Sequence, residues 1–204
     1  MADAASNGVN RGHLTFNAEG DNVRSSPNYS RVIHYPQHGI SGVTIGRGYD
    51  MGSRSQGQIY FELTRAGVPH VQAQAISQGA GLRGRQAAQF VQQQRVAIGE
   101  ITEQQQASLF NQIYPAYESR AQSVYNTKTA NIQNRPDWSE LHPAIRDVLV
   151  DIIYQGYRAQ TTMPVAAGND IDSMIQFIRN QAELSVDEAN RDRAGYLDSN
   201  RGRR

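Results

Sequence analysis

Apolar positions follow two different periods along the chain. From Leu14 to about Gly52 the pattern is short and β-like. Residues 31–35 read Arg-Val-Ile-His-Tyr, and Val43, Thr44 and Ile45 are all β-branched. Pro36-Gln37-His38-Gly39 and Ser41-Gly42 lie between these runs and predict a hairpin connection. A hairpin this short needs a larger body to pack against. After Gly52 the period moves toward 3.6. Ser53 followed by Gln56 fits a capping box and predicts a helix ending near Gly67. Pro69 and the glycines at 79, 81 and 84 divide the next stretch into short helices. Thr102 and Gln105 repeat the capping pattern, ahead of a face made by Leu109, Phe110, Ile113 and Tyr114. Pro115 predicts a kink or an end there. The clearest helix is 143–155, where Ile145, Val148, Leu149, Ile152 and Ile153 fall at i, i+3, i+4, i+7 and i+8. Such a stripe is core. Ile171, Met174, Ile175 and Ile178 repeat it behind an Asp170 cap, and Ser185 and Glu188 open a last helix running through Leu197. The predicted class is α+β. A flexible lead-in over 1–12 precedes one domain, with a β-hairpin lobe over 13–52, a larger helical lobe over 53–200, and a cleft between the two.

Composition narrows the chemistry. The chain has 204 residues, a net charge of +1 and no cysteine. That excludes a disulfide framework, a thiolate metal site and a cysteine nucleophile. Lys128 is the only lysine, and no basic-aromatic stripe suits nucleic acid. The Arg-Gly-Arg-Arg sequence at 201–204 reads as a solvated tail. No window approaches the roughly 18 apolar residues of a membrane span. Residues 1–12 are small and polar with no apolar h-region, so no signal peptide is predicted. The expectation is a protein made in the cytoplasm, whose substrate, if it lies outside, is reached by some other delivery route. His34 and His38 are four apart in a Pro- and Gly-containing segment that is not helical, so no metal pair is expected. No cofactor is expected either.

The candidate chemistry lies in residues 14–52. Glu19 sits in an Asn-Ala-Glu-Gly turn behind Leu14 and Phe16, at the edge of an apolar patch. Thr44 and Asp50 follow in a glycine-rich run. Glycosidic cleavage uses two carboxyl groups, one protonated to donate to the leaving oxygen and one ionised. Partial burial suits Glu19 to the first role and a wet loop suits Asp50 to the second. The ordinary readings are a solvated turn for Glu19, a cap for Asp50 and a strand residue for Thr44. Geometry adds a condition. In an unbroken strand Thr44 and Asp50 would lie about 20 Å apart, too far to share one water. The chain must therefore turn at Gly46-Arg47-Gly48, where glycine permits it. Tyr29, Tyr35, Tyr49, Tyr154 and Tyr157 are candidates for stacking on sugar rings, and Arg47 for a muramyl lactate or peptide carboxylate. Core packing is the alternative for the tyrosines, and an ion pair for Arg47.

These residues resemble the lysozyme domain of the pesticin-like family, a relative of the phage-type lysozymes. The resemblance rests on Glu19-Gly20, on Ser26-Pro27-x-Tyr29-Ser30, and above all on the run Gly-Val-Thr-Ile-Gly-Arg-Gly-Tyr-Asp-Met-Gly at 42–52. It is looser beyond residue 52, where Asn190-Arg191-x-Arg193 and Tyr196 look like the closing helix of phage-type lysozymes. It implies a lysozyme-like fold and a muramidase that cleaves the β-1,4 bond between N-acetylmuramic acid and N-acetylglucosamine. It implies Glu19 as general acid, with Asp50 and Thr44 placing the attacking water. In phage-type lysozymes the Asp precedes the Thr, whereas here it follows, as in the pesticin group. The implied course is inverting, with a Glu19–Asp50 carboxyl separation of roughly 6.5–9.5 Å. The implied partner is peptidoglycan, bound by a monomer that acts in the periplasm or on the wall. A phage endolysin or an effector injected into rival bacteria fits this reading, the latter with a secretion-system carrier and an immunity protein. The competing expectations are a lytic transglycosylase using Glu19 alone and a noncatalytic wall-binding module.

Overall fold

Helices dominate the fold and one two-stranded antiparallel sheet accompanies them, in a computed structural model that describes residues 8–36, 41–157 and 159–203. In chain order the elements are α1 (His13–Ala18), β1 (Thr44–Ile45), β2 (Tyr49–Asp50), α2 (Gln56–Arg65), α3 (His70–Ser77), α4 (Gly84–Ile98) and α5 (Glu103–Lys128). After a single 3-10 turn (Trp138–Glu140) come α6 (Pro143–Tyr154), α7 (Thr162–Ala166), α8 (Ile171–Asn180), α9 (Ala182–Ser185), α10 (Glu188–Arg191) and α11 (Arg193–Ser199). Among the described residues no helix is long and apolar enough to cross a membrane.

The chain divides into two compact units. Of the described residues, one unit holds 8–11 with those from Glu19 to Ile113, and the other holds Gly12–Ala18 and those from Tyr114 onward. The internal boundary falls inside α5. The reason lies in the backbone pairing of the first unit. Val32 bridges to Glu100, the Ile101 N–H donates to the Arg31 carbonyl at 2.8 Å, and Gly42 bridges to Arg83. These pairings fold α2, α3 and α4 back onto the β segment, around a core that includes Ile33, Val43, Ile45, Met51, Ile59, Leu63 and Ile76.

Three local expectations change. The β-like reading fails at 13–18, which is helical; Leu14, Thr15 and Phe16 are buried there. Residues 31–35 form no strand, only bridges at Val32 and His34, and the connection expected at 36–42 lies partly outside the described residues. Helix α2 is capped by Ser55, whose hydroxyl accepts from the Gln58 N–H at 3.2 Å, and not by Ser53. The Thr102–Gln105 capping box closes in both directions. The Thr102 N–H donates to Gln105 Oε1 at 2.8 Å and the Gln105 N–H to Thr102 Oγ1 at 3.1 Å. Pro115 does not end α5, which continues to Lys128.

In the second unit α6 buries Ile145, Val148, Leu149, Ile152 and Ile153, as its period requires, and packs against α1. Asp170 caps α8 by accepting from the Ser173 N–H at 2.8 Å. The single helix expected over 185–197 is instead two short ones, α10 and α11, with α9 ending at Ser185. Asp192, at φ 48°, breaks it between Arg191 and Arg193. In an unbroken helix two residues at i and i+2 face different ways. The left-handed residue between them lets both arginines reach one carboxylate on α6. Arg191 Nη1 donates to Asp151 Oδ1 at 2.6 Å and Arg193 Nε to Asp151 Oδ2 at 2.7 Å.

Candidate active site

The turn demanded of 46–48 is present. β1 and β2 pair antiparallel with Thr44 opposite Asp50 and Ile45 opposite Tyr49. The reversal uses Gly46 at φ 61° and Gly48 at φ 75°, in the left-handed region that favours glycine. Thr44 is paired on its other side as well. The His34 N–H donates to the Thr44 carbonyl at 2.8 Å and the Thr44 N–H to the His34 carbonyl at 2.9 Å. With both backbone groups of Thr44 taken by His34, its pair with Asp50 is of the non-hydrogen-bonded kind. In such pairs the Cα atoms approach to about 4.5 Å and the side chains lie close on one face. Thr44 is 4% exposed and its hydroxyl donates to the Gly42 carbonyl at 3.3 Å; Asp50 is half-buried.

Backbone N–H groups hold the Asp50 carboxylate. Oδ1 accepts from Gly52 at 2.6 Å and Oδ2 from Gly42 at 3.1 Å. Each oxygen keeps a lone pair for a further donor. This grip needs glycine at both positions. A Cβ on Gly42 would lie 2.4 Å from the Gly52 nitrogen and 2.6 Å from Asp50 Oδ1. Gly42→Ala is expected to cost about 1–3 kcal/mol. Gly57→Ala, in α2 with open space around it, should be neutral or slightly stabilising. Urea denaturation of the two variants checks the contrast, and equal stability would contradict the packing argument.

Glu19 follows α1 directly, half-buried, ahead of Gly20. A Cβ on Gly20 would come within 2.9 Å of the Asn28 carbonyl and of Ser30 Cβ, so this glycine is required by close approach. The hairpin turns Arg47 into the same region. Burial pushes the Arg47 guanidinium down to about 10, while Asp21, Glu103 and Glu19, in that order, pull it back up. Arg47 therefore stays cationic at neutral pH, and Glu19 feels the smallest share of its field among the three carboxylates. Beneath lies a polar network. Asn22 Oδ1 accepts from Arg47 Nη2 at 3.4 Å and from Gln106 Nε2 at 3.0 Å. Ser30 donates to Gln106 Oε1 at 2.7 Å, and the Gly46 N–H donates to the Ser30 carbonyl at 2.7 Å. Asp21 is occupied too, accepting from the Val23 N–H and the Ser26 hydroxyl.

The tyrosines separate by burial. Tyr29 is 6% exposed and its hydroxyl donates to Glu100; Arg31 lies 5.4 Å from its ring centroid. Tyr49 is 1% exposed, donates to Glu62, and has Arg54 at 4.4 Å over its ring. Burial first, then the Glu62 hydrogen bond, raises the Tyr49 phenol well above its ordinary value. Neither ring has a free face for a sugar, because packing has taken both. Tyr35 alone of the three remains partly exposed. Of the candidates in residues 14–52, then, Thr44 and Asp50 are paired, Glu19 and Arg47 share one electrostatic environment, and Tyr29 and Tyr49 are bound to Glu100 and Glu62. No group of three or more His, Asp or Glu side chains among the described residues is placed to hold a metal ion.

A family model for a domain of unknown function, DUF8812, matches residues 12–195. The chain belongs to this family. No curated protein matches it. The DUF8812 match spans every candidate residue, from Glu19 to Tyr157.

Two residues near the DUF8812 chain's candidate site carried no signal in the linear sequence. A Cβ on Gly52 would meet Asp50 Oδ1 at 2.9 Å and the Arg83 guanidinium carbon at 3.1 Å, so Arg83 stands beside the carboxylate from 33 positions away. The bridge between Gly42 and Arg83 brings it there. Gln106, buried in α5, joins the site through Ser30 and Asn22. Its place directly after the Thr102–Gln105 capping pattern, in a run of glutamines, concealed it.

Proposed function

We propose that the chain is a peptidoglycan muramidase with a lysozyme-like arrangement, hydrolysing the β-1,4 bond between N-acetylmuramic acid and N-acetylglucosamine. The observation that carries this reading is the pairing of Thr44 with Asp50 across the Gly46–Gly48 reversal. A hydroxyl and a carboxylate that the sequence separates by six residues stand side by side on one face. The Asp50 oxygens are fixed by backbone N–H groups and retain acceptor capacity. Together they suit the ordering of one water. Glu19, in the field of Arg47 from the same hairpin, is the second carboxyl group.

In this mechanism Glu19 gives its proton to the glycosidic oxygen as the bond to the anomeric carbon breaks. The water ordered by Thr44 and Asp50 attacks from the opposite side and its proton passes to Asp50. Inversion requires the two carboxyl groups to stand roughly 6.5–9.5 Å apart in the working enzyme. The role, as an endolysin or an injected effector with an immunity partner, rests on the resemblance of residues 42–52 to the pesticin-like lysozymes.

Digestion of purified sacculi tests the reading. Clearing with reducing muramic acid ends supports hydrolysis, and anhydro ends would assign the chain to the lytic transglycosylases. Binding without any loss of turbidity would make it a wall-binding module.

A further inference from the structure

Thr44 is the middle of a row and not half of a pair. Its backbone exchanges both N–H···O bonds with His34 on one side, and it stands opposite Asp50 on the other. Directly opposed residues of paired strands project to the same face. His34, Thr44 and Asp50 therefore share one face of the hairpin. The imidazole orientation is defined by its own backbone, since Nδ1 lies 3.0 Å from the Val32 carbonyl. A carbonyl only accepts, so Nδ1 carries the proton and Nε2 presents a lone pair.

We infer that His34 is a further catalytic residue of the proposed muramidase, orienting the attacking water by accepting one of its hydrogen bonds at Nε2. The inference rests on the muramidase reading. His34 takes no proton in the step. The new bond forms between the water oxygen and the anomeric carbon, the glycosidic bond breaks, Glu19 protonates the leaving oxygen, and the water's proton goes to Asp50. A neutral imidazole is what this role needs. Burial and the charge of Arg95 lower the His34 pKa, with the Val32 carbonyl acting the other way. Thr44 and Asp50 then fix the water from two directions and His34 from a third, which sets its approach to the sugar.

The test uses soluble glycan fragments and four proteins. His34→Phe keeps the ring volume without nitrogen, and its kcat is expected to fall about 10–100-fold with KM unchanged. His34→Gln returns an acceptor at the reach of Nε2 and should recover most of the lost rate. Wild type and Glu19→Gln complete the set. Wild-type kcat in His34→Phe, or a loss in His34→Gln as deep as in His34→Phe, would overturn the inference while an inactive Glu19→Gln left the muramidase reading intact. A wild type that cleaves nothing removes both. An independent readout needs no activity and covers a His34→Phe that does not fold. Long-range proton–nitrogen NMR of the wild type at neutral pH should show the Nδ1–H tautomer of His34, and the Nε2–H tautomer would also overturn the assignment.

Discussion

Replacing Asp151 with alanine is expected to destabilise the fold by about 3–5 kcal/mol. Asp151 and Arg193 are both 0% exposed, and Arg191 is nearly so. One carboxylate answers two guanidinium groups, and Arg193 also donates to Gln155. Glu188 lies farther off, at 3.6 Å from Arg193 Nη1, and its other oxygen accepts from the Ala194 N–H at 3.0 Å. Removing Asp151 leaves a buried cation without its nearest counter-charge, which costs far more than the pair contributed. Whole-protein stabilities are on the order of 5–15 kcal/mol, so the loss is a large fraction of the total. The Asp151→Asn variant keeps the volume and one acceptor oxygen but no charge, and should fall between wild type and Asp151→Ala. The single tryptophan, Trp138, lies in the same unit, with its ring 5.8 Å from that of Tyr125. Its fluorescence in urea therefore reports this unit directly. A cost below about 1 kcal/mol would mean that water or Glu188 replaces the carboxylate, contrary to the burial described.

That cluster also shows where the sequence stops being readable. Local signals translated well. The Thr102–Gln105 box, the Asp170 cap and the α6 stripe are each set by residues within a few positions of one another. The reversal at 46–48 was legible for a different reason: strand geometry forbids Thr44 and Asp50 from meeting any other way. What failed depended on partners far along the chain. Helix α1 is six residues long, less than two turns, so it has no period to read, and its conformation is fixed by burial against α6 and α10. The break at Asp192 exists because two arginines two positions apart share a carboxylate 40 residues earlier. At the candidate site the same division holds. Gly42, Gly52 and the hairpin explain themselves locally, but Arg83 and Gln106 arrive through long-range pairing. Tyr29 and Tyr49 carry the resemblance as well as any residue, yet what they do is hold Glu100 and Glu62.

Glu19→Gln is expected to lower the rate of sacculus clearing by about a thousandfold while leaving binding to the sacculi unchanged. The amide matches the carboxyl in size and keeps hydrogen-bonding atoms, but it has no proton to give at any working pH. A positioned general acid contributes on the order of 10²–10⁴ to rate, and the glycosidic oxygen is a poor leaving group without it. Asp50→Asn should cost less than Glu19→Gln. Its amide oxygen can still accept from one backbone N–H and from a water, and Thr44 retains its place opposite. The difference between the two variants separates the candidate mechanisms. A transglycosylase relying on Glu19 alone would lose activity in Glu19→Gln and keep it in Asp50→Asn. A hydrolase that orders water at Thr44 and Asp50 loses rate in both, more deeply at Glu19. Full clearing by Glu19→Gln would remove this residue from the chemistry. Full clearing by Asp50→Asn as well would leave the Thr44–Asp50 pair as a structural clasp that closes the hairpin.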